Sequence, residues 1–115
     1  MPDESFEKLE VWRRSVEVAV RLHLLLRECR DFGFRQQITD STDSISANIA
    51  EGTERNTMPE FRQFLGYAKG SAGETRSRLY IAERVGYIPP ADCVELLDEL
   101  RRISRMIKGL TDSLK

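Results

Sequence analysis

Only two cysteines, one histidine and four prolines occur among the 115 residues. Two cysteines cannot build the disulfide framework that holds small secreted folds together. Cys29 and Cys93 both fall on apolar stripes at helical spacing, where a free thiol packs as a small hydrophobe, so a reducing, cytoplasmic setting is expected. The lone histidine, His23, also sits in such a stripe and reads as a packed residue. It cannot supply the paired Glu-x-x-His ligands of di-metal bundles. Neither charge sign is in excess, with 18 Lys and Arg against 19 Asp and Glu and a net charge of -1. No global field therefore draws the chain to nucleic acid or to an anionic membrane. No apolar run reaches the roughly 18 residues needed to span a bilayer. The opening Met1-Pro2-Asp3-Glu4-Ser5 is acidic and has neither a basic nor an apolar region, so no signal peptide is expected. There is no Gly-x-x-x-x-Gly-Lys phosphate loop. Gly70-Ser71-Ala72-Gly73 is not a nucleophile elbow, because Lys69 stands where that motif needs glycine. No catalytic residue, metal ligand, cofactor or small-molecule substrate is expected.

What is present is helical periodicity, and no segment alternates with period two. Over Phe6 to Cys29 one stripe comprises Leu9, Trp12, Val16, Ala19, His23 and Leu26. A second, Val11, Val18, Leu22, Leu25 and Cys29, runs beside it. Ser5 is the candidate N-cap. Gly33 reads as the left-handed terminator between this helix and the next, which runs from about Phe34 to Gly52 on a stripe of Phe34, Ile38, Ser41, Ile45, Asn48 and Gly52. Thr57-Met58-Pro59-Glu60 is a capping box with proline in the first turn. It starts a helix from about Met58 to Val85, with Phe61, Leu65, Ala68, Ala72, Thr75, Leu79 and Ala82 inward. Gly86, Pro89 and Pro90 stop it. The last helix runs from about Pro90 to Leu114 on Leu96, Leu100, Ile103, Ile107, Leu110 and Leu114. Four amphipathic helices with short connections make residues 1–115 a single all-α domain, an up-down-up-down four-helix bundle. A three-helix core with one helix lent to a neighbour is the other all-α arrangement. Helix one has more apolar surface than one inward face needs, and helix three adds Phe64, Tyr80 and Ile81 off its stripe. The bundle is therefore expected to assemble as a homo-oligomer.

Two sets of residues break the pattern. Asn48, Glu51 and Arg55 on helix two and Ser71 and Glu74 on helix three are polar among apolar neighbours. They are expected to form a hydrogen-bonded layer between the two helices; the other reading leaves the carboxylates solvated. Gly66, Gly70 and Gly73 interrupt helix three at a cost of about 1 kcal/mol each relative to alanine. With Gly52 they are expected to mark close backbone approach, the alternative being local weakness or a kink. Arg101, Arg102, Arg105 and Lys108 gather in the last helix and are the candidate nucleic-acid contacts.

Ser44-Ile45-Ser46-Ala47-Asn48-Ile49-Ala50-Glu51-Gly52, then Arg55, Phe61, Phe64-Leu65, Ala68, Gly70-Ser71, Glu74 and Gly86-Tyr87-Ile88, resemble the bacterial four-helix-bundle proteins encoded in intervening sequences of large-subunit (23S) ribosomal RNA genes. The opening Phe6-x-x-Leu9-x-Val11-Trp12 is similar as well. The resemblance implies a ring-like homopentamer. It also suggests kinship with the accessory protein of diversity-generating retroelements, which binds nucleic acid through a basic surface. Thr39 and Asp40 stand where family members tend to carry two arginines, and Ser46 where proline is common, which weakens the carry-over of RNA binding. The resulting expectation is a non-catalytic oligomeric bundle with a structural or adaptor role; the alternative is an RNA-binding module using a basic face of the oligomer.

Overall fold

In the computed structural model, which describes residues 5–114, the order is a short 3-10 turn, η1 (Phe6–Lys8), then α1 (Glu10–Leu25), α2 (Phe32–Thr53), α3 (Met58–Arg84) and α4 (Pro90–Ser113). Among the described residues there is no strand. Each helix packs on its sequence neighbours and α4 returns to α1, while α1 and α3, and α2 and α4, stay diagonal and apart. Neighbours run antiparallel. Arg14 pairs with Glu99 and Arg21 with Asp92 across α1 and α4. Across α3 and α4, Arg76 reaches Ser104 and Arg62 reaches the Leu114 carbonyl.

The ends of the helices follow local chemistry. Thr57 accepts the Glu60 N–H at 3.2 Å, and its own hydroxyl donates to the Glu60 carboxylate at 3.0 Å. At the other end of α3, Gly86 takes φ +83°, and the Gly86 and Tyr87 N–H groups bond back to Glu83 and Ala82. This is a Schellman closure. Two boundaries differ from expectation. Ser5 caps only η1, without a side-chain bond, and α1 starts at Glu10. Gly33 lies inside α2 rather than ending α1, because Asp31 is the N-cap and accepts the Phe34 N–H at 3.1 Å. The Tyr87 hydroxyl also donates to Asp31, at 2.6 Å. That bond, with the Phe34 N–H behind it, holds the Asp31 carboxyl below its usual range.

The core is one cluster drawn from all four helices, including Leu22, Ile45, Leu65, Leu79, Leu100 and Ile107, all fully buried. In α1 the inward face is Val11, Ser15, Val18, Ala19 and Leu22. Val18 and Leu22 are therefore spent inside the bundle, while Val16 and Trp12 are half-buried at its edge. No helix among the described residues is long and apolar enough to cross a membrane.

Candidate functional site

The expected polar layer does not form as a unit. Asn48 donates to the Ser44 carbonyl of its own helix at 2.8 Å. Glu51 is exposed and pairs with Arg55 at 3.2 Å. Glu74 is exposed and pairs with Arg78 at 3.0 Å, also within its helix. Ser71 contributes its carbonyl, which accepts from Thr75. The reason is register. Ser41 lies opposite Thr75, and Gly52 lies against Phe61 and Phe64. Glu74 and Arg78 thereby flank Ser41 and Ser44, well along the axis from Glu51.

The buried polar join between α2 and α3 is instead Ser41 with Thr75. The Thr75 hydroxyl is 3.0 Å from the Ser41 hydroxyl, which donates to the Ile38 carbonyl at 3.0 Å. Both residues stand on the core stripes, and a hydroxyl on each of two facing stripes was the signal available in the sequence. Close by, Thr42 Oγ1 is buried and has no hydrogen-bond partner among the described residues.

Of the layer residues, Arg55, in the turn after α2, links Glu51 of α2 to the capping-box Glu60 of α3, which the expected layer did not include. Its guanidinium bonds Glu60 at 3.0 Å and lies 5.2 Å over the Phe64 ring. The bond to Arg55, then the Thr57 hydroxyl, holds the Glu60 carboxyl below the usual range. This cluster staples the α2–α3 turn at the surface. Surface pairs contribute little, so Glu51→Leu is expected to change stability by no more than about 0.5 kcal/mol. A clearly lower melting temperature would place Glu51 in a buried set after all.

The glycines divide. A Cβ on Gly52 would stand 2.9 Å from Phe61 Cδ1 and 3.1 Å from Phe64 Cβ, so α2 and α3 do approach closely there. A Cβ on Gly66 or Gly70 would meet nothing within 4 Å, and one on Gly73 only the tip of Arg76 at 3.8 Å. Within the monomer those three are not close-packing positions. They lie off the inward stripe of α3, whose small members facing the core are Ala68, Ala72 and Ala82.

His23 is exposed rather than packed, and its Nε2 lies 2.9 and 3.0 Å from the two Asp43 carboxylate oxygens. The pair borders an open polar groove of about 310 Å³ between α1 and α2, lined also by Arg27, Arg35 and Thr39. An imidazole oriented by a carboxylate is part of a nucleophilic relay. The hydroxyl in this groove, however, belongs to Thr39, which is buried and donates to the Arg35 carbonyl at 2.7 Å. Burial pushes the Cys93 thiol up, and it is closed off in the core, the condition of an unreactive cysteine. Among the described residues, no group of three or more His, Cys, Asp or Glu could hold a metal ion.

The four α4 cations are all exposed. Arg101 bonds Asp98 and the Tyr80 hydroxyl, and Lys108 bonds Asp112.

A family model described as 23S rRNA-intervening sequence protein matches residues 7–109. A crystal structure of a protein of unknown function from the S23 ribosomal protein family of Bacteroides thetaiotaomicron superposes with a TM-score of 0.81 at 28% identity. The match covers 88% of this chain and 97% of that one. No curated protein matches the chain.

Proposed function

This chain belongs to the 23S rRNA-intervening sequence protein family, and from that premise we propose that it works as a self-associating helical bundle with a structural or adaptor role and no chemistry of its own. The observation that carries this reading is the apolar surface left uncovered. Val20, Leu24, Tyr80, Ile81, Val85 and Val94 are each 46–57% exposed. Val20 and Leu24 share one open apolar groove with Val16 and Ala19; a contiguous patch of that kind marks an association surface, and closed symmetric assembly is the usual cover. In this reading the assembly is a ring of five, as the family resemblance implies, and its setting is the cytoplasm, in keeping with two free cysteines. Sedimentation equilibrium at micromolar concentration is expected to give a mass several times the 13.3 kDa of one chain. A species of 13.3 kDa would overturn the reading.

RNA binding is the second reading, and it rests on the cations of residues 101–108. Two of those cations are already engaged by Asp98 and Asp112, and Asp40 is an acid on exposed α2 surface. A gel shift with structured RNA that weakens as salt rises would favour this reading.

A further inference from the structure

His23 and Asp43 stand where two grooves between α1 and α2 meet. Both line the polar groove that also holds Arg27, Arg35 and Asp40. Both also line the apolar groove of Val16, Ala19, Val20 and Leu24, about 310 Å³ in volume. Among the described residues they are the only ionisable side chains on the wall of that second groove. A partner that covers the apolar wall therefore covers this pair as well. The His23 side chain is 51% exposed and that of Asp43 52%, so in the single chain both keep much of their water.

The geometry fixes how the pair carries charge. Nε2 of His23 lies 2.9 and 3.0 Å from the two Asp43 oxygens. An ionised carboxylate only accepts hydrogen bonds, so the hydrogen of the neutral ring is assigned to Nε2 and a further proton goes to Nδ1. With Nδ1 bare, the pair holds one uncompensated negative charge. With Nδ1 protonated, it is a balanced ion pair. Imidazole is the side chain that ordinarily changes charge between about pH 5 and 8. The other charged groups at the pair are Arg27 on α1 and Arg35 and Asp40 on α2; arginine and aspartate ordinarily keep their charge over that range. Arg35 donates through Nη1 to the Arg27 and Cys29 carbonyls, and Asp40 accepts from Gln36 at 2.7 Å, so each is engaged elsewhere.

We propose that self-association is controlled by pH through this pair: a second copy covers the apolar groove best when His23 is protonated, and its docking takes up a proton at Nδ1. The inference rests on the self-association proposed above and adds its regulation. Covering the groove takes water from Asp43. An uncompensated carboxylate is costly to strip of water, whereas a balanced, hydrogen-bonded pair costs less. Covered copies therefore hold the proton more tightly than free ones. By linkage, association tightens as pH falls through the histidine range and loosens as pH rises through it.

The test is sedimentation equilibrium of the full chain at about pH 5.5 and about pH 7.5, with circular dichroism confirming that each variant is folded. Wild-type association is expected to be tighter at the lower pH by roughly fivefold or more. His23→Gln keeps an N–H donor for Asp43 but cannot take the proton. Its association is expected to be nearly the same at both pH values and to match the wild type at the higher one. Asp43→Asn removes the carboxylate, so protonation of His23 then leaves an uncompensated cation in the groove. Its pH dependence is expected to reverse, with tighter association at the higher pH. A wild-type monomer at both pH values would remove the self-association reading and this inference with it. A wild-type oligomer that is indifferent to pH, or that tightens as pH rises, would leave self-association standing and overturn the role of the pair. A His23→Gln chain that keeps the wild-type pH dependence would overturn it too, and so would an Asp43→Asn chain that still tightens as pH falls.

Discussion

Gly52→Ala is expected to destabilise the bundle, although alanine is the better helix former by about 1 kcal/mol. The new Cβ would lie 2.9 Å from the Phe61 ring and 3.1 Å from Phe64 Cβ. Phe61 is itself buried, and Phe64 Cβ moves only with the α3 backbone, so the overlap must displace a helix. Overpacking of this kind costs about 1–3 kcal/mol, which outweighs the gain in propensity. Gly52→Leu is expected to prevent native packing of the α2–α3 corner. Gly70→Ala has the opposite sign, because its Cβ meets nothing within 4 Å. There the propensity gain stands alone, up to about 1 kcal/mol. Urea unfolding of the three variants at one protein concentration checks the contrast. A Gly52→Ala chain as stable as wild type would show that α3 does not press on α2 at this point.

Leu100→Ala is expected to cost about 2–5 kcal/mol. Leu100 is fully buried in the common cluster, so its loss removes transfer free energy and leaves a cavity that four packed helices cannot readily close. Val94→Ala on the same helix removes a side chain that is 57% exposed. It is expected to leave the unfolding midpoint of the isolated chain nearly unchanged. Equal losses at the two positions would mean that α4 is rotated from the orientation described.

Thr57 with Glu60, Gly86 and the Pro89-Pro90 stop were readable as helix ends because capping acts within a few residues along the chain. The inward stripe of α3 was readable because seven positions at three-four spacing leave no second face to choose. Helix one offered two stripes, and periodicity could not rank them. Contact with α2 and α4 selects Val11, Val18 and Leu22 for the core, leaving Val16 and Trp12 at the edge and Val20 and Leu24 outside. His23 misled for the same reason. Its place on a stripe is local, whereas its exposure and its Asp43 partner depend on where α2 lies.

The polar layer shows the limit most clearly. Asn48, Glu51, Ser71 and Glu74 were each unusual in their own segment, but a bond between segments also needs register. The α2–α3 register is set by the fit of Gly52 under Phe61 and of Ser41 opposite Thr75. That same register carries Glu74 past Glu51. Periodicity and end chemistry, both short-range, determined four helices, most of their ends and the inward faces of α3 and α4. Tertiary packing alone decided which face of α1 is buried and which glycine touches a neighbour. It also decided that the two grooves between α1 and α2 meet at His23 and Asp43, since a long-range relation between segments has no counterpart in the spacing of residues within either one.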